Sequence, residues 1–121
     1  MKSEELIKKD ITERTYNFSL RIIKIVRVLP KETSGFVLGK QLIASGTSIA
    51  ANIEEAQGAF SKEDFIYKMQ TAYKEALETN LWLRLIRDSQ LINNIEIESL
   101  IGESVELRKI LSSIVKSSKK Q

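Results

Sequence analysis

Residues 61–88 read SKEDFIYKMQTAYKEALETNLWLRLIRD, and the spacing of apolar side chains in this stretch decides the fold. Phe65, Met69, Ala72, Ala76, Thr79, Leu83 and Ile86 recur at intervals of three and four, which lines them up on one stripe of an α-helix. Ile66, Tyr73, Leu77, Leu81 and Leu85 widen that stripe. Ser61, followed by Glu63 and Asp64, offers an N-cap hydroxyl and acids for the positive end of the helix dipole. The spacing predicts a helix over about 62–87.

The same rhythm continues on either side. Upstream, Leu38, Leu42, Ser45, Ile49, Asn52 and Ala56 form a seam between Thr33 or Ser34, either able to serve as N-cap, and Gly58, a natural residue just past a helix end. This predicts a helix over 34–57. Before it, Ile11, Thr15, Phe18, Ile22, Ile25 and Leu29 form a seam that Pro30 must end, giving a helix over about 3–29. Downstream, Asp88, Ser89 and Asn93-Asn94 make a break. Ile97, Leu100, Ser104, Leu107, Leu111 and Ile114 then define a fourth helix over 95–116, with 117–121 fraying. No strand-like alternation competes. Four amphipathic helices with short connections predict a single all-α domain over 1–121, an antiparallel up-down-up-down four-helix bundle.

Composition narrows the chemistry. The chain of 121 residues contains no cysteine and no histidine. This removes the thiol nucleophile, the commonest general base near neutral pH and the commonest transition-metal ligand. Glu75 and Glu78, three apart on the third helix, and Glu54-Glu55 are the first acidic pairs to weigh, with a carboxylate magnesium site as the remote alternative. A di-iron bundle needs histidine beside such carboxylates. They read as solvated or salt-bridged side chains, and no metal, cofactor or catalytic residue is expected. Met1-Lys2-Ser3-Glu4-Glu5 lacks the apolar core of a secretory signal, and no run approaches a membrane span. The chain reads as a cytoplasmic protein with no membrane partner.

Charge is segregated along the sequence. Residues 1–51 carry a net +4, residues 52–106 a net −6 and residues 107–121 a net +5. No acidic residue lies between Glu13 and Glu32. In an antiparallel bundle Arg21, Lys24, Arg27, Lys31, Arg84 and Arg87 gather towards one pole, with Arg14 on the approach to it. These seven are the candidate nucleic-acid contacts. The opposite pole collects Lys2, Lys8, Lys9, Lys62, Lys116, Lys119 and Lys120, but mixes them with Glu4, Glu5, Asp10, Glu54, Glu55, Glu63 and Asp64.

Other residues bear on assembly. Gly46 sits within the small-residue run Ala44–Ser48, where a mid-helix glycine costs about 1 kcal/mol relative to alanine and so implies a close neighbour. That neighbour is another helix of the same bundle or a second subunit. Tyr67 and Trp82 fall off the main seam and are candidates for an oligomer interface, with base stacking as the alternative. Asn52 lies on the apolar seam and needs a hydrogen-bond partner such as Ser45, Thr79 or a backbone carbonyl. With Ser48 and Glu78 it forms the expected polar part of the core.

Residues 45–87 also resemble a known family, the bacterial four-helix bundles first noticed as reading frames inside 23S rRNA intervening sequences. Ser48, Asn52, Ile53 and Glu55 match its Ser-x-x-x-Asn-Ile-x-Glu pattern. Ser61, Asp64 and Phe65 match the polar break and Asp-Phe that follow. Lys74, Glu75, Ala76, Glu78, Thr79, Trp82 and Leu83 match Lys-Glu-Ala-x-Glu-Thr-x-x-Trp-Leu, and Leu29-Pro30 also fits. Glu54-Glu55-Ala56-Gln57 departs from the Ala-Glu-Gly of many members. The resemblance implies an antiparallel bundle that assembles as a homo-oligomeric ring, with pentamers among relatives and no established enzymatic activity. Similar bundles serve as accessory proteins of diversity-generating retroelements, beside a reverse transcriptase and its RNA. The expected function is therefore a non-enzymatic, oligomeric, RNA-associated bundle. The alternative is a scaffold whose main contacts are with a partner protein such as a reverse transcriptase.

Overall fold

In the computed structural model the backbone is described for residues 4–121 and side chains from Asp10 onward. Four helices follow one another: α1 (Glu4–Arg27), α2 (Thr33–Gln57), α3 (Lys62–Asp88) and α4 (Glu96–Lys120). The expected start at Ser3 lies outside the described residues, as do the side chains of Lys2, Glu4, Glu5, Lys8 and Lys9. No strand is present among the described residues.

Cross-helix contacts fix the topology. Gly39 packs against Val26 and Leu29, and Gly46 against Ile22, so α1 and α2 run in opposite directions. Thr79 reaches Ser45 while Lys68 reaches Glu55, which makes α3 antiparallel to α2. Asn80 bonds Ser104 and Arg87 bonds Glu98, reversing α4 against α3. Arg14 with Glu103 and Arg21 with Glu96 close α4 back onto α1. The result is an up-down-up-down four-helix bundle.

The core follows the seams closely. Ile11, Phe18, Ile22 and Ile25 of α1 meet Leu42 and Ile49 of α2, Met69, Leu83 and Ile86 of α3, and Leu100, Leu107 and Leu111 of α4. On α2 the buried line slides from the heptad position Asn52 to Ile53, which is fully buried. An ideal helix drifts about 20° per heptad against a strict seven-residue repeat, so the last turns expose a different edge to the core. On α4 Ile114 is half-buried, and Ser118, the next position of the same seam, is buried.

Helix ends depart from expectation in three places. α1 stops at Arg27, and the next two amides bond back in short turns, Val28 to Ile25 and Leu29 to Val26, before Pro30. α2 is preceded by Glu32 in an extended conformation with no side-chain cap, not capped by Thr33 or Ser34. Gly35 is required there, because a Cβ would fall 1.8 Å from the Pro30 carbonyl oxygen. α4 keeps its helical hydrogen bonding to Lys120 where fraying was expected. Ser61 caps α3 as read from the sequence, its Oγ accepting from the Asp64 amide at 3.0 Å. At the other end of α3, Gln90 adopts φ 57°, and the Leu91 amide returns to the Ile86 carbonyl. A non-glycine residue there takes the place that glycine holds in most such caps.

Candidate nucleic-acid and assembly interfaces

The seven basic residues divide by what holds them. Arg14 forms a two-pronged pair with Glu103, Nε to Oε2 and Nη2 to Oε1, both at 2.7 Å. That hydrogen bond and the nearby carboxylate raise the guanidinium's pKa, against a smaller effect of burial. Arg21 bonds Glu96 at 2.5 Å and donates to the Ser99 hydroxyl at 2.7 Å. Arg87 is shared between Asp88 at 2.8 Å and Glu98 at 3.2 Å. The run that is free of acids in sequence is therefore met in space by Glu96 and Glu103 from the start and middle of α4. This corrects the reading of the pole as a continuous anion-binding surface, because three of its seven cations are already engaged. Arg84 bonds only Asn80, at 2.7 Å. Lys24, Arg27 and Lys31 are exposed and make no ion pair among the described residues.

A second basic surface went unrecognised in the sequence. Along the C-terminal half of α4 an open groove of about 590 Å³ is lined by Arg108, Lys109, Lys116 and Lys120 with Ser112, Ser113 and Ser117, and Tyr73 joins from α3. No carboxylate lines it among the described residues. The signal is the net +5 of residues 107–121, of which the sequence reading places Lys116, Lys119 and Lys120 at a pole diluted by acids.

The proposed interface residues also separate. Gly46 is buried, and a Cβ would stand 3.0–3.1 Å from Ile22 side-chain atoms. Its role is close approach of α1, so it is not a subunit contact. Trp82 packs against the core, and its indole N–H is buried without a partner. Such an unmet donor costs on the order of 1–3 kcal/mol. Of the three, Tyr67 alone is largely exposed, at 62%, with the Lys68 ammonium 6.0 Å from its ring centre.

The expected polar core changes as well. Asn52 is half-buried and donates to the Ser48 carbonyl at 2.8 Å, within its own helix. The Ser48 hydroxyl turns back to the Ala44 carbonyl at 2.6 Å, and Glu78 is exposed. The hydroxyls buried between helices are Thr79 and Ser45, 2.9 Å apart, and Ser104, which accepts from Asn80 at 3.0 Å. Glu75, half-buried on α3, has its carboxyl pushed up, first by burial and then by the charge of Glu78.

Several apolar side chains face outward. Leu77, Leu81 and Leu85, read as widening the buried stripe, are 40%, 38% and 43% exposed. Phe36 and Val37 are exposed on the first turns of α2. No group of three or more metal-binding side chains stands together, and no helix is long and apolar enough to cross a membrane, among the described residues.

Residues 8–113 match the family model described as 23S rRNA-intervening sequence protein. The chain is also similar to a protein with unknown function from the S23 ribosomal protein family of Bacteroides thetaiotaomicron VPI-5482, known from its crystal structure. The two share 40% identity with a TM-score of 0.84, over 91% of this chain and 98% of the other. No curated protein matches. On the length of the match and the shared bundle, the chain belongs to the 23S rRNA-intervening sequence protein family.

Proposed function

We propose that the chain is a non-enzymatic, RNA-associated subunit of a homo-oligomer, a ring in the manner that the family resemblance implies. The observation that carries the RNA reading is the groove on α4, where four cations and three hydroxyls stand with no carboxylate between them among the described residues. Phosphate oxygens suit such a lining: ammonium and guanidinium groups neutralise them, and hydroxyls fill their remaining acceptor positions. Tyr73 offers a ring for a base at the same place. Lys24, Arg27 and Lys31, at the opposite end of the bundle, form the second candidate contact.

The test is a salt titration of binding to a single-stranded RNA. Each phosphate contact contributes a log–log slope of about 0.7. Reversing Lys109, Lys116 and Lys120 together lowers the slope by about two and weakens binding at least tenfold at low salt. Reversing Lys24, Arg27 and Lys31 has the smaller effect. If wild-type protein holds no RNA at low salt, the RNA reading fails.

A partner-protein scaffold, such as a reverse-transcriptase accessory subunit, is the second reading. It is favoured by Phe36 and Val37, apolar side chains exposed at the start of α2. A polypeptide that stays bound at high salt while RNA is lost supports it.

A further inference from the structure

We propose that the outward groove between α1 and α2 is a docking site for one amphipathic helix of a partner protein, acidic at one end and basic at the other. The proposal rests on the partner-protein reading and names the surface and the chemistry of its occupant. Besides the line that fills the core, each of these helices carries a second line of side chains at intervals of three and four. On α1 it is Glu13, Tyr16, Leu20, Ile23 and Arg27. On α2 it is Phe36, Lys40, Ile43 and Thr47, with Glu54 a heptad further on. Such spacing sets each line on one face of its helix. The other flank of α1 turns Arg14 and Arg21 to α4, and the other flank of α2 turns Ser45 and Glu55 to α3. Both lines therefore border the groove where Gly39 and Gly46 bring α2 against α1. At one end of it Glu13, Tyr16 and Glu54 line the same open pocket.

The floor of the groove is apolar. Tyr16, Leu20 and Phe36 are 58%, 44% and 63% exposed, and Ile23 and Ile43 are half-buried. The hydroxyls beside them are already satisfied, Ser19 donating to the Thr15 carbonyl at 2.9 Å and Thr47 to the Ile43 carbonyl at 2.7 Å. A floor of this kind takes the apolar face of a helix, whose anchors repeat at the same spacing. The charges select the occupant. Glu13 and Glu54 stand at one end, Arg27 and Lys40 at the other, all exposed and without an ion pair among the described residues. A helix with bases at one end and acids at the other satisfies both. A nucleic-acid strand or an anionic lipid surface would meet two carboxylates at the first end, which repel it. From Glu13 to Arg27 the groove runs about 21 Å, the length of about four helical turns.

Fluorescence anisotropy with two labelled helical peptides of about four turns tests this on the full chain. Both peptides carry leucines at intervals of three and four. One has glutamates at one end and lysines at the other, and the second has lysines at both ends. The wild type is expected to bind the first at least about fivefold more tightly than the second. Leu20→Glu weakens the first at least about tenfold, with helix content unchanged. Arg27→Glu combined with Lys40→Glu reverses the preference between the peptides, a reversal that misfolding cannot produce. Neither peptide binding, both binding alike, or binding that Leu20→Glu leaves intact overturns the proposal. A homo-oligomer that Leu20→Glu dissociates puts another copy in the groove and also overturns it. A polypeptide retained at high salt by wild type and Leu20→Glu alike overturns the groove alone. If no polypeptide is retained and no peptide binds, the partner-protein reading falls with it.

Discussion

The seam between α1 and α4 and the outward face of α3 treat their side chains in opposite ways. Across the seam Arg14 meets Glu103 and Arg21 meets Glu96, so charges distant in sequence satisfy one another within the chain. Yet this is the least extensively packed of the adjacent helix pairs. Arginine–carboxylate pairs hold a contact there that apolar burial supplies elsewhere. On α3, Leu77, Leu81 and Leu85 lie outside a core already filled by Leu83 and Ile86 and stay 38–43% exposed. The difference teaches which surfaces remain for partners. A guanidinium already forked onto a carboxylate is a poor phosphate ligand, since RNA must first displace the acid. An exposed leucine ridge gains free energy only when another surface removes it from water.

The largest expected effect separates the two faces of α3. Leu83→Ala, in the core, is expected to cost about 3 kcal/mol of folding stability by denaturant titration. Leu81→Ala, measured at concentrations dilute enough to dissociate any oligomer, is expected to cost less than about 0.5 kcal/mol. Equal costs would mean that Leu81 belongs to the protomer's own core.

Next in size are the seam pairs. Both arginines are a third or more exposed at the side chain, so screening limits their worth. Arg14→Gln and Arg21→Gln are each expected to cost up to about 1 kcal/mol, less at high salt. Neither should change RNA affinity by more than about twofold, since neither cation is free for a phosphate. A loss of RNA binding with unchanged stability would reverse the assignment of these residues from seam to site.

The smallest effect lies between α2 and α3, at Glu75. Its raised pKa means that the folded chain holds the proton more tightly than the unfolded chain. Stability therefore rises as pH falls through the raised value, and levels off below the ordinary carboxylate range. Glu75→Gln should raise the melting temperature at pH 7, with the gain disappearing on acidification through that window. A gain of the same size at every pH would assign the effect to packing.

Much of the fold was legible in sequence because its cause is local. Three- and four-residue spacing reports which side of a helix is apolar, and Thr15, Phe18, Ile22, Leu42, Met69, Leu83 and Leu107 all reach the core as their spacing demands. The Ser61 cap was legible for the same reason. What was illegible depended on neighbours from afar. Counting acids along α1 misses Glu96 and Glu103, which arrive 75 and 89 residues later. Whether Leu81 widens the buried stripe or faces outward depends on where the core's centre falls on the helix. Only packing sets that. Asn52 was misread because a strict heptad was extended along a straight helix, while Gly46 was left between two neighbours because spacing cannot say whose side chain needs the room.

The central claim is that the chain is a subunit of a homo-oligomer. Thermal unfolding over a hundredfold range of protein concentration tests it most directly, because assembly of the native state stabilises by mass action. The account predicts a wild-type midpoint that climbs with concentration. A wild-type midpoint independent of concentration throughout that range would contradict it.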